Sequence, residues 1–253
     1  MPANLDGLVW LFCSLAPLLL LQRRLHREIQ AVFFLITRRL DIAIMLFSII
    51  FFPGVLLHEG SHYLVARLLG VRTGGFSLIP RPLGDGKLQL GYVETASADW
   101  LREALVGAAP LITGGLFVAY AGLFQLKLIT LWQALWADSL EIFFESFRTL
   151  MSRPDFWLWF YLALVVSSTM LPSESDRRAW LPLGLILLSL LGISLVAGAG
   201  PWLYQNLASP LNQVLRSISI VFTISVALHL ILLPFIWLLR RLLARILGLE
   251  VVI

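Results

Sequence analysis

Residues 42–57 carry no charged side chain. In hydrocarbon every backbone N–H and C=O must find its partner within the protein, so a spanning run folds as a helix or joins a closed barrel. The length of this run selects the helix. Further apolar runs occupy residues 5–21, 103–126, 156–171, 180–199 and 218–239. With 59% apolar and 13% charged residues, the chain reads as an all-α polytopic membrane protein of about six transmembrane helices. At 253 residues it makes one integral membrane domain over 1–253, with little room for a soluble one. The net charge of +4 resides mostly on Arg at helix ends, which suits the lipid bilayer's headgroups. No basic stripe with interleaved aromatics points to nucleic acid.

The run does not end in a polar loop. It passes into His58, Glu59 and His62, within the segment 42–69. Residues four apart on a helix project from one face, one turn apart, so two imidazoles can share one metal ion. Glu59 stands beside them, where it can take a proton from an activated water. The spacing is H-E-x-x-H, the zinc metalloprotease signature. With four His and eight Glu in the chain, chance would produce it in roughly 0.2% of such compositions. An ionisable triplet inside an apolar run costs about 2.5–3.5 kcal/mol per charge at mid-membrane, so it is retained for a function.

The rest of the chain is read around that helix. Residues 8–21, with Pro17 inside, form a short retained membrane segment without the basic n-region of a signal peptide. Residues 22–40, with Arg23, Arg24, Arg27, Arg38 and Arg39, read as an interfacial helix whose Arg side chains reach the headgroups, and His26 as a solvated surface residue. Pro53 and Gly54 are placed to kink the helix before the motif. Between residues 71 and 97 the texture changes: 76–79 and 87–93 read as strands joined by the turn Gly84-Asp85-Gly86, a small β-hairpin after the H-E-x-x-H helix. Such a hairpin could cover the site or offer an edge to an extended peptide. Gly107-Ala108-Ala109-Pro110 and Gly114-Gly115 suit close helix packing. The stretch 129–150, with Trp132, Trp136, Phe143, Phe144 and Phe147, is amphipathic and aromatic, so it suits a membrane surface or a membrane-protein complex. Cys13 is alone, which excludes an intrachain disulfide and a Cys-based metal site.

Catalytic zinc takes three protein ligands and leaves a position for water. His26 and His229 are poorly placed, and His229 reads as a core or pore-facing residue with one hydrogen bond, so the third ligand is expected to be a carboxylate. Asp176 follows a span and Pro172 and is the first candidate, with Glu174 the second.

His58-Glu59-Gly60-Ser61-His62 in a membrane helix, with Pro172 and Asp176 downstream, resembles the site-2 protease family of intramembrane zinc metalloproteases. The resemblance covers roughly residues 42–178, and the 107–115 span resembles that family's Gly-Pro helix. Ser168 or Thr169 stands where the family usually has Asn, the Pro172–Asp176 spacing is one residue shorter, and Arg177 replaces a Gly. The resemblance implies a Zn²⁺ held by His58, His62 and Asp176, with Glu59 catalytic. It implies hydrolysis of peptide bonds in a membrane-protein substrate, at a site nearer the cytoplasmic face of a multi-pass protein. Lys and Arg are balanced on the two sides and give no orientation. A catalytically inactive subunit acting as scaffold or assembly factor is the alternative. A transporter is disfavoured by the lack of repeats and of charges on several spans.

Overall fold

The apolar runs fold as helices, longer and less often interrupted than their hydropathy suggests. The computed structural model describes residues 6–82, 88–136 and 140–249. Helix α1 runs from Gly7 to Thr37 as one element, with Pro17 inside it. The expected division into a short span and an interfacial helix at 22–40 is therefore corrected. The reason is a distant partner: Glu28 is fully buried and ion-paired with Arg24, at 2.8 Å, and with Arg240. Glu28 turns inward against another helix, while Arg23 and Arg27 of α1 stay exposed.

Helix α2, Leu40–Leu68, carries Pro53 without a break. An antiparallel arm follows. Strand β1 (Thr73–Ser77) pairs with β4 (Tyr92–Thr95), and β2 (Arg81–Pro82) pairs with β3 (Leu88–Gln89). A hairpin is present as expected, but its main strands are 73–77 and 92–95 instead of 76–79 and 87–93; Gly84, Asp85 and Gly86, the expected turn, lie outside the described residues. Helix α3, Trp100–Tyr120, is capped by the Asp99 side chain, which accepts from the Arg102 N–H at 3.0 Å, and it runs on into a π-helical turn, Ala121–Gln125. The aromatic stretch is two short helices, α4 (Leu128–Leu135) and α5 (Leu140–Met151), with Trp132, Trp136 and Phe144 exposed.

Helix α6 (Phe156–Thr169) is buried along its last two turns, whereas α7 (Trp180–Val196) buries none of its residues. Helix α8, Gly200–Leu247, continues through Pro210 and Pro234 and is about 72 Å long at 1.5 Å per residue. Among the described residues four helical segments are long and apolar enough to cross a membrane: α1, α2, Trp100–Gln125 and α8. The expected count of about six is reached only by adding α6 and α7, which at 14 and 17 residues fall short of the roughly 20 that a bilayer core requires.

Matched contacts give the directions. Gly7 meets Asn212 and Glu28 meets Arg240, so α1 and α8 run parallel. The Tyr161 hydroxyl donates to the Ile50 carbonyl at 2.7 Å while Thr169 meets His58, so α2 and α6 run parallel as well. Helix α3 lies antiparallel to α6, with Gly114 against Met170 and Tyr120 against Trp159. Leu18, Leu25, Phe47, Phe51, Val118 and Val165 form the centre of the core between these helices.

Candidate metal centre

On α2, His58 and His62 stand one turn apart with their Nε2 atoms 3.3 Å from each other. Each ring is fixed from behind. The Nδ1–H of His58 donates to the Thr169 carbonyl at 2.6 Å, and that of His62 to the Val106 carbonyl at 2.8 Å. A carbonyl only accepts, so both Nε2 atoms present lone pairs to the same point. Asp176, in the segment between α6 and α7, brings its carboxylate to that point, 3.4 Å from His62 Nε2 and 3.7 Å from His58 Nε2. Two lone pairs and a carboxylate converging this way repel one another unless a cation sits between them.

The spacing fits a metal. Ligands at 2.0–2.1 Å from a tetrahedral zinc stand about 3.3–3.4 Å apart. Among the described residues His58, His62 and Asp176 form the group able to hold an ion, their ligand atoms all within 4.8 Å of one another. Glu174, the second candidate for third ligand, lines the same cavity without joining that group. The Ser173 N–H donates to the Asp176 carboxylate at 2.7 Å and favours its ionised, metal-binding form.

Two glycines make the geometry possible. A methyl on Gly107 would lie 2.0 Å from the Asp176 carbonyl oxygen, so only glycine lets the Asp176 segment rest against α3. A methyl on Gly91, just ahead of β4, would lie 2.8 Å from Glu59 Cγ and 3.0 Å from the Ser77 carbonyl oxygen. The hairpin therefore closes over Glu59, which is 8% exposed and shares the metal group's cavity of about 1090 Å³.

Ser168 and Thr169 turn their hydroxyls to His229 and to the helix backbone. The Thr169 hydroxyl donates to the Val165 carbonyl at 3.0 Å, and Ser168 Oγ lies 2.8 Å from His229 Nε2. Of their backbone carbonyls, that of Thr169 meets His58 and that of Ser168 meets Gln22. His229 is fully buried and makes two hydrogen bonds where one was expected, the second from its Nδ1–H to the Ser225 carbonyl at 2.7 Å. His26 is not a solvated surface residue: its ring packs edge-on against Phe47 and Phe51, with centroids 5.3 and 4.8 Å away, and it lines the cavity with Gln22. Sequence reasoning missed Gln22 and His26. The signal was available, since polar residues four apart inside an apolar helix are costly and mark a common face.

In comparisons with known proteins, no family model, no curated protein and no solved structure matches the chain.

Proposed function

We propose that this chain is an intramembrane zinc metallopeptidase of the site-2 protease type, cutting peptide bonds of membrane-spanning or membrane-associated proteins. The observation that carries the reading is the convergence of His58 Nε2, His62 Nε2 and the two Asp176 carboxylate oxygens, at separations of 3.3, 3.4 and 3.7 Å close to the edges of a tetrahedral zinc site, with Glu59 in the same cavity. Zinc bound by those three residues would supply Lewis acidity, activating water and polarising the scissile carbonyl. Glu59 accepts the water's proton and delivers it to the leaving amine. Thr169 and Val106 hold the imidazoles in the tautomer that binds metal, and the hairpin at Gly91 limits solvent access to Glu59.

The substrate segment enters locally unwound, because a helical backbone keeps its carbonyls in its own hydrogen bonds. A cavity of about 1090 Å³ has room for several extended residues beside the metal group. On this reading the chain is a multi-pass membrane protein with its site toward the cytoplasmic face, as the resemblance implies. The exposed aromatic faces of α4 and α5 rest on the bilayer surface or on a partner in a membrane complex. One observation favours the second reading, a scaffold or assembly subunit without turnover: Ser168 and Thr169, where the resembled family usually has Asn, spend their hydroxyls on His229 and the Val165 carbonyl.

Glu59→Gln decides between them. In reconstituted vesicles with a membrane-tethered reporter, wild type should cleave, while Glu59→Gln should keep about one zinc per chain and lose cleavage by at least about 10²-fold. Cleavage by the variant at the wild-type rate would remove Glu59 from the mechanism. Absence of zinc from reconstituted wild type would leave the scaffold reading.

A further inference from the structure

The last carbonyls of an α-helix have no partner in their own helix. At the end of α6 two of them are used in succession. The Ser168 carbonyl accepts from Gln22 Nε2 of α1 at 2.5 Å, and the next carbonyl, that of Thr169, accepts from the Nδ1–H of His58 at 2.6 Å. The Ser168 side chain is held from the other direction. Its hydroxyl donates to His229 Nε2 of α8, because the Nδ1–H of His229 is committed to the Ser225 carbonyl. Ser168 and His229 are 1% and 0% exposed, so no solvent competes for these bonds. One residue of α6 is thereby clamped between α1 and α8, immediately before the carbonyl that aims a ligand of the metal group.

We infer that Gln22 and His229 are positioning residues for the metal centre, acting through Ser168. The inference rests on the metal reading above, and it assigns α1 and α8, which lie outside the family resemblance, a part in it. The clamp is built from fixed points. Helices α1 and α8 are joined at one end by Asp6, Gly7, Asn212 and Arg216 and further along by Glu28 and Arg240. If Gln22 loses its amide, the buried Ser168 carbonyl loses its donor. If His229 loses its acceptor nitrogen, the Ser168 hydroxyl must turn elsewhere. Either change frees the α6 terminus to shift, and the Thr169 carbonyl moves with it. Partners behind a metal-binding His typically contribute 10–100-fold in metal affinity.

The test uses the full chain in detergent, loaded with Co²⁺ or Zn²⁺, and reads metal affinity by competition and the cobalt ligand-field spectrum. Gln22→Leu, Ser168→Ala and His229→Leu should each weaken Zn²⁺ binding by up to about 10-fold, the low end of what a direct partner of a ligand contributes, and shift the cobalt bands. His229→Gln, which can still accept from Ser168, should recover most of the affinity. Arg153→Met, which removes the donor to the Gln125 carbonyl beyond the far end of α3, should lower thermal stability and leave the cobalt spectrum unchanged. Wild-type affinity and spectrum in Ser168→Ala, which removes a single oxygen and folds if any variant does, and in Gln22→Leu, which removes the donor to the Ser168 backbone carbonyl, would overturn the inference while leaving the metal reading intact. Failure of the wild type to bind either ion would overturn both.

Discussion

Gly107→Ala should dismantle the proposed metal centre although Gly107 lies outside the H-E-x-x-H motif. The added methyl would sit 2.0 Å from the Asp176 carbonyl oxygen and 3.0 Å from its carbonyl carbon, whereas ordinary contact begins at 3.4 Å. The two backbones must therefore part by up to about 1.4 Å, the difference between those distances. Helix α3 cannot easily supply the movement, because the neighbouring Val106 carbonyl holds the Nδ1–H of His62. The Asp176 segment yields instead, and the 3.4 Å edge from His62 to Asp176 opens beyond what a single zinc can bridge. Misplacement on this scale costs about 10²-fold in a positioned reaction, and overpacking adds about 1–3 kcal/mol of instability. The assay is zinc stoichiometry and affinity on purified protein, with reporter cleavage alongside. Gly60→Ala is the control: it lies inside the motif, yet nothing stands within 4 Å of its added methyl, and it should bind zinc as wild type does. Unchanged zinc affinity in Gly107→Ala would refute the packing argument and with it the placement of Asp176.

Gly91→Ala pushes the hairpin off Glu59 without touching a metal ligand, so zinc binding should persist while reporter cleavage falls by about tenfold or more; equal loss of both would contradict the role given to the hairpin. Arg240→Met leaves Glu28 fully buried with Arg24 alone, and thermal stability in detergent should fall by about 3–5 kcal/mol, with Glu28→Gln in the same chain recovering most of it. A single variant as stable as wild type would show that Arg24 suffices. The Asp6 carboxyl is held down at about 2 by its hydrogen bond from Arg216. A depressed carboxyl stabilises the fold fully above its unfolded value near 3.8, and the contribution is lost as pH falls through about 2. Acid unfolding of Asp6→Asn should lack that component, and a superimposable titration would exclude the Asp6–Arg216 pair as its source.

The parts of this protein legible in its sequence are those whose physics is local. His58, Glu59 and His62 share a helix, so their face follows from a 3.6-residue period; the hairpin follows from turn residues and short alternating runs. Asp176 was legible as a carboxylate after a helix stop, although its choice over Glu174 needed the fold. Helix α1 is not legible locally, because Pro17, Arg23, Arg24 and Arg27, taken alone, describe a broken surface helix. The partner that buries Glu28 is Arg240, more than two hundred residues away. Helix α8 was misread as a shorter span for the same reason: Asn212 and Arg216 weaken its hydropathy, yet they bind Gly7 and Asp6 at the start of α1.

The site itself divides along the same line. Its chemistry resides in side chains, which a sequence displays, but its alignment resides in backbone carbonyls, which every residue possesses and no sequence marks. Thr169 and Val106 fix the two imidazoles through groups that any amino acid at those positions would supply. What selects them is the path of the chain: α6 ends where its unpaired carbonyls face His58 and Gln22, and Gly107 lets the Asp176 segment close on α3. A motif search therefore finds the ligands and overlooks the residues that aim them. Those residues are found by asking which polar side chains in an apolar helix have a buried carbonyl within reach, and Gln22 answers that question at 2.5 Å from Ser168.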